Sequence, residues 1–134
     1  MSDWNAGVID EFRRNHGKVG GAFKGAPLLL LCHRGARTGK QRVNPVMYLK
    51  DGERLLVFAS KGGHAHNPDW YHNLMAHPDI EIELGDERVR VRAQEIKGAE
   101  RDELYARQVS LYPKFGEYQR KTERVIPVIA LTPR

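Results

Sequence analysis

The sequence contains one cysteine, Cys32, in 134 residues, so no disulfide can close within the chain. A lone thiol fits the reducing cytoplasm, and a small cysteine ending an apolar run is no more than weak evidence for a nucleophile. Long apolar stretches are also missing. The longest, Ala26 to Cys32, has the length of a strand, far below the roughly 18 residues a membrane span needs. Met1-Ser2-Asp3-Trp4 lacks a basic stretch leading into an apolar core, so no secretory signal is expected and a cytoplasmic location is. Repeats, low-complexity tracts and a dividing linker are absent, which points to one domain over residues 1–134. The βαβ alternation of a doubly wound nucleotide fold is absent as well. No CxxC motif or carboxylate–histidine cluster accompanies His64 and His66, so no metal site is expected.

One absence is local. Between Arg13 and Arg42 there is no Asp or Glu, while eight Lys and Arg occur there, at 13, 14, 18, 24, 34, 37, 40 and 42. The remaining charges nearly balance, so the net +5 of the chain is concentrated in this stretch. That pattern points to a local anion site more than to a generally basic surface.

What is present reads mainly as strands. Asp3 can cap a short helix, about residues 3–16, with Trp4, Val8, Ile9 and Phe12 on its apolar face. Pro27 to Arg34 reads as a buried strand, Val43 to Lys50 as a second, and Asp51-Gly52 as a hairpin turn into Arg54 to Ser60. Asn67-Pro68 suits the start of a helix over Asp69 to Ala76. Ile80 to Leu84 and Arg88 to Ile96 alternate with period two around Gly85-Asp86. An amphipathic helix over Gly98 to Leu111, using Leu104, Val109 and Leu111, precedes an aromatic segment and a closing strand, Val125 to Leu131. About six antiparallel strands with peripheral helices predict a small barrel, which removes exposed edges by closure.

Three motifs carry chemistry. In Gly35-Ala36-Arg37-Thr38-Gly39-Lys40-Gln41-Arg42, two glycines allow tight turns whose N–H groups can face an anion, beside cations and a hydroxyl. It is no P-loop, because only three residues separate its glycines and Gln41 follows the lysine. As a structure alone it could equally be a polar hairpin turn. Ala59-Ser60-Lys61-Gly62-Gly63, running on to Asn67-Pro68-Asp69-Trp70-Tyr71, would let a flat ring approach the backbone. Trp70 and Tyr71 suit the core better than a ligand. Tyr112, Phe115 and Tyr118, three apart, share one side of a helical turn, as a substrate lid or as packing at the barrel's open end.

These motifs, with Arg42-Val43-Asn44-Pro45, Tyr112-Pro113 and Ile126-Pro127, occur in the order seen in the deazaflavin-dependent nitroreductases of mycobacteria and related actinobacteria, and the chain resembles that family from about Gly17 onward. The resemblance implies a split, FMN-binding-like β-barrel that holds reduced coenzyme F-420, an 8-hydroxy-5-deazaflavin with a phosphodiester and oligoglutamate tail. It implies that Arg37, Thr38, Gly39, Lys40 and Arg42 face the phosphate and tail. Asn44, Pro45, Ala59, Ser60, Lys61, Gly62, Asn67 and Trp70 would line the deazaflavin end. Tyr112, Phe115, Tyr118 and Met47 would face the acceptor, with Ser60, Tyr112 and Tyr118 as the catalytic candidates. Phe115 stands where the family's nitro-drug reductase has tyrosine, and the N-terminal extension is shorter here.

The expected reaction is hydride transfer from the reduced deazaflavin to a quinone, enone or nitroaromatic. The resemblance leaves open a monomer or a dimer, and a weak association with the inner membrane surface. Alternatives are an FMN-using reductase of the same fold and a deazaflavin carrier without turnover. A basic nucleic-acid-binding barrel is disfavoured because no aromatic interleaves Arg88, Arg90 and Arg92. Without a metal site, exhaustive chelation should leave the melting temperature and activity unchanged. Stoichiometric zinc by elemental analysis, with loss of activity on its removal, is the contrary result.

Overall fold

Four consecutive leucines can all be buried in one strand only if both of its faces are covered. In a computed structural model, which describes residues 3–21 and 25–134, Leu28 to Leu31 meet that condition. Leu29 and Leu31 point into a barrel, and Leu28 and Leu30 point outward beneath an N-terminal helix with Ile9 and Phe12. The strands are β1 (Leu28–Arg34), β2 (Gln41–Asp51), β3 (Arg54–Phe58), β4 (Asp79–Leu84), β5 (Glu87–Ile96) and β6 (Val128–Pro133). They close in the order β1-β2-β3-β6-β5-β4, every pair antiparallel. The expected six-stranded barrel is borne out.

The helices cover what the barrel leaves open. α1 (Asp3–Arg14) lies on β1 and β2. α2 (Asp69–Ala76) sends Trp70 and Leu74 into the barrel's interior cluster. α3 (Gly98–Leu111) and α4 (Lys114–Arg120) cover the outer side of β3 and β6, where Leu56, Phe58, Val128 and Ala130 meet Leu104, Tyr105 and Phe115. Among the described residues no helix is long and apolar enough to cross a membrane.

Several boundaries move for physical reasons. β2 runs three residues longer than the apolar pattern suggested, because Gln41 and Arg42 pair with Arg34 and His33 at one end and Asp51 with Arg54 at the other. β3 stops at Phe58 instead of Ser60, where the Ser60 N–H turns back to the Phe58 carbonyl at 2.8 Å. β6 begins at Val128 instead of Val125, which is 67% exposed. Asn67 does not cap α2: Pro68 holds the cap position, and the Asn67 amide oxygen accepts from Arg124 at 2.7 Å. The proposed cap at Asp3, the side chain of Trp4, and Lys24 lie outside the described residues.

The buried side of α3 also differs from expectation. Leu111 is 58% exposed, whereas Arg101, Leu104, Tyr105 and Gln108 are buried. Arg101 is matched, donating to the Ile126 carbonyl at 3.0 and 2.9 Å and to Gln119 at 2.6 Å. Gln108 is fully buried with neither amide atom hydrogen-bonded. An unpaired buried amide costs about 1–3 kcal/mol. Gln108→Leu, similar in volume and free of that cost, should stabilise the fold by about 1–2 kcal/mol in urea denaturation. A loss of stability would show that the amide is paired in solution.

Candidate functional site

The turn between β1 and β2 is built as a small closed loop. The Gly35 N–H donates to the Lys40 carbonyl at 2.9 Å, and the Gly39 N–H donates to the Gly35 carbonyl at 2.9 Å. Thr38 does not face outward freely: its Oγ1 accepts from the Lys40 N–H at 3.2 Å. A Cβ at Gly35 would lie 2.7 Å from that oxygen, so a larger residue there would push the Thr38 hydroxyl out of place. The turn is fastened to α2 by the Ala36 N–H, which donates to Asn73 Oδ1 at 2.8 Å.

The acid-free stretch resolves into two parts. Arg13 is held bidentate by Glu83, and Arg14 pairs with Asp10. Arg34, Arg37, Lys40 and Arg42 are exposed and make no ion pair among the described residues. Positive charge without a counter-charge is thus gathered at this turn. It adjoins a hollow of about 420 Å³ whose lining holds five arginines, Arg13, Arg34, Arg42, Arg88 and Arg134, against the two carboxylates Asp79 and Glu81. Another hollow of about 430 Å³, between α2 and β5, includes no motif residue. Size therefore does not choose between them, and charge does. Two of the three arginines of β5 are neutralised, Arg88 by Glu81 and Arg92 by Asp79, which leaves Arg90 alone there.

The second motif is held from a distance. Arg124 donates to the carbonyls of Ala59 (3.1 Å), Ser60 (2.7 Å) and His64 (2.9 Å) and to Asn67 Oδ1 (2.7 Å). Burial lowers the pKa of this guanidinium from its ordinary value, and the four bonds offset part of that cost. Within the 3-10 turn Lys61–Gly63, all three residues have positive φ, including the non-glycine Lys61 at 46°. A Cβ at Gly63 would sit 2.7 Å from the Tyr118 carbonyl oxygen, so loop and α4 are in backbone contact. Sequence reasoning missed Arg124. No local pattern marks it, because its partners lie about sixty residues away.

The third element is an apolar strip on the outer side of β2, whose residues from Val43 to Leu49 are all half-buried. Met47 packs against both the cluster under α1 and the cluster under α3 and α4. Tyr112 and Tyr118 border that second cluster and Phe115 is part of it, so all four expected acceptor-side residues converge there. The aromatic row is real, with centroids 6.4 Å apart for Tyr112–Phe115 and 5.2 Å for Phe115–Tyr118. Phe115 itself is 5% exposed and packs edge-on against Phe58, which makes it core. Trp70 and Ala59 also face the barrel interior, and the Ala59 N–H and carbonyl are taken by Pro127 and Arg124. In this structure Phe115, Trp70 and the Ala59 side chain pack in the core, as large aromatics favour.

The hydroxyls separate in the same way. Tyr105 donates to the Phe115 carbonyl at 2.6 Å, and Tyr71 donates to Glu95. Ser60, Tyr112 and Tyr118 have no hydroxyl hydrogen bond among the described residues. Cys32 offers no thiolate: burial, with Glu83 adding to it, pushes its pKa up to about 11. Among the described residues no three His, Cys, Asp or Glu are grouped to hold a metal ion. A cation-rich turn beside an apolar strip with free hydroxyls fits a flat coenzyme carrying an anionic tail.

A closed antiparallel barrel with its helices outside defines a split-β-barrel protein, and solved relatives share it. A structure described as an F420-H2 dependent reductase (FDR-A) superposes with a TM-score of 0.71 at 37% identity, covering 78% of this chain and 93% of that one. Another, described as a domain-swapped dimer, gives 0.73 at 34%, covering 96% and 97%. Residues 5–133 match the family model F420H(2)-dependent quinone reductase. A protein of that name from Mycobacterium tuberculosis is 40% identical over 129 residues, 92% of this chain and 85% of the relative. The chain belongs to the F420H(2)-dependent quinone reductase family. The resemblance read from the motifs is borne out, and with it an oxidoreductase whose coenzyme is the reduced deazaflavin.

Arg124→Ala should destabilise the protein by about 1.5–3 kcal/mol, the range for hydrogen bonds to a charged group. It should also speed amide hydrogen exchange selectively over residues 60–67. Uniform acceleration across the barrel would show that Arg124 supports the fold and not this loop.

Proposed function

We propose that this chain transfers a hydride from reduced coenzyme F-420 to a quinone at β2, with the ring by its Arg42–Asn44 end and the acceptor by the outer strip at Met47. The carrying observation is the juxtaposition just described: unpaired Arg37 and Lys40 on one side, and the Met47 strip bordered by Tyr112 and Tyr118 on the other. Family membership supports the same reading. When bound, the coenzyme supplies the hydride from its C5, and one proton must follow to give the hydroquinone.

The protein's own part is positioning and exclusion of water. Arg37, Lys40 and Arg42 hold the anionic tail by charge, and Gly39, whose own N–H is spent on the Gly35 carbonyl, shapes the turn that presents them. Asn44, Pro45, the Ser60 hydroxyl, Lys61 and the Gly62 backbone line the ring, with Asn67 acting through Arg124. At Gly62 a Cβ would meet nothing within 4 Å, so the backbone there is open to close approach. Met47, Tyr112 and Tyr118 cover the acceptor. Proton delivery falls to a hydroxyl that is not already spent, such as Ser60, Tyr112 or Tyr118, or to solvent. The swapped dimer described for the solved relative favours a dimer for this chain.

Titration with coenzyme F-420, flavin mononucleotide and a DNA oligomer should show tight binding of the first alone. Arg37→Ala with Lys40→Ala should weaken coenzyme binding by about 1.5–3 kcal/mol, and less so in high salt. Tyr118→Ala should instead lower quinone turnover while coenzyme affinity stays nearly constant. Unchanged affinity in the double variant would remove the tail from this turn. Loss of coenzyme binding in Tyr118→Ala would move that residue into the coenzyme site.

A further inference from the structure

One buried polar chain runs between the turn and the ring side of the site, and its centre is a histidine that the proposed function leaves unused. The Ala36 N–H donates to Asn73 Oδ1 at 2.8 Å; Asn73 Nδ2 lies 3.1 Å from His33 Nδ1; His33 Nε2 lies 2.8 Å from Asn44 Oδ1. His33 is 3% exposed and Asn73 7%. His33 is the inward-facing residue of β1 directly opposite Arg42, one step beyond the Leu31–Asn44 pair.

A single backbone group dictates every assignment along this chain. A backbone N–H can only donate, so the Asn73 atom beside it must be the amide oxygen. The Asn73 NH2 then faces His33 and donates, which requires a lone pair on Nδ1. A neutral ring with a bare Nδ1 carries its proton on Nε2. That proton meets Asn44, which must therefore present its oxygen to the ring. The amide of Asn44 is left with its NH2 as the free group. A carbonyl-bearing heterocycle needs a donor at that place.

We propose that His33 is a positioning residue for the coenzyme: through Asn73 and Asn44 it ties the anion-binding turn to the ring side and fixes the Asn44 amide as a donor. This rests on the reading that the coenzyme binds at β2. Two further facts agree with a ring held neutral. Burial lowers the His33 pKa, against the Asn44 bond, and Arg42 lowers it further. The titratable and charged groups that line the hollow with His33 are Arg13 on α1, Cys32 and Arg34 on β1, Arg42 on β2, His77 after α2, Asp79 and Glu81 on β4, Arg88 on β5 and Arg134 after β6. The two carboxylates are held by Arg92 and Arg88.

A protonated ring would set two donors, Nδ1–H and the Asn73 NH2, against each other. Asn73 could then rotate only by abandoning the Ala36 N–H, which loosens the turn. The sign follows. With its folded pKa below the free value of about 6.5, His33 supports fold and site fully above that pH and loses its contribution as pH falls.

The test measures binding of two probes by fluorescence: oxidised coenzyme F-420 and its tailless form, 8-hydroxy-5-deazariboflavin. Asn44→Ala and His33→Leu should each weaken the tailless probe on the order of tenfold, as expected for one lost hydrogen bond to a buried partner. The double variant should be no worse than either, because both act through one amide. Imidazole nitrogen NMR of the unaltered protein at pH 7.5 should show a neutral ring protonated on Nε2, a readout independent of whether His33→Leu folds well. Additive losses, a ring protonated on Nδ1, or a charged ring would overturn the proposal. Weaker binding in Asn44→Ala with none in His33→Leu would sink the relay alone. No change in Asn44→Ala for either probe would sink the coenzyme site at β2, and the relay with it.

Discussion

Closure of the barrel depends on β1, which is hydrogen-bonded along both edges, to β2 through seven residues and to β4 through three. A strand paired on both edges and covered on both faces must be apolar throughout, and Leu28–Leu31 satisfy that. The remaining chain follows from this placement. The inner face supplies the core with Leu29 and Leu31, and the outer face gives α1 its seat. β1 then ends in His33-Arg34, delivering a buried imidazole and an exposed cation to the mouth of the same turn.

The site is gathered by polar cross-links of long sequence range, not by the hydrophobic core. Asn73 joins α2 to the β1–β2 turn, and Arg124 joins the segment before β6 to the loop after β3. Each places one strongly hydrogen-bonding group against backbone carbonyls or amides that no ladder uses. Such bonds are directional, so they set where a loop lies in a way that non-directional apolar burial does not. The left-handed conformations at Lys61, Gly62 and Gly63 persist in that setting.

Charge shows the same division between local and long-range causes. The thirty residues without an acid are a property of the chain, but the surplus that survives folding is narrower. Arg13 finds Glu83 seventy residues away, and Arg88 and Arg92 find cross-strand carboxylates. The largest uncompensated group in the acid-free stretch is at the β1–β2 end, where Arg34, Arg37, Lys40 and Arg42 make no ion pair among the described residues. An anionic ligand is drawn to the cations that folding leaves unpaired.

The sequence alone determined what depends on neighbours in the chain. Period-two alternation marked β4 and β5 within a residue, Asp51-Gly52 marked the hairpin, and α2 and α3 stand at the expected limits. The ordered motifs from Gly35 to Pro127 were specific enough to mark the family and its coenzyme. Tertiary structure decided which of the motif side chains stay accessible and which become core. Phe115, Trp70 and Ala59 carried the same signals as Tyr118, Asn44 and Ser60, but they fill the core, because a side chain's direction depends on the element packed against it. Arg124 and His33 were invisible for the complementary reason: their partners come from other elements, and only the closed barrel brings those groups within hydrogen-bonding distance.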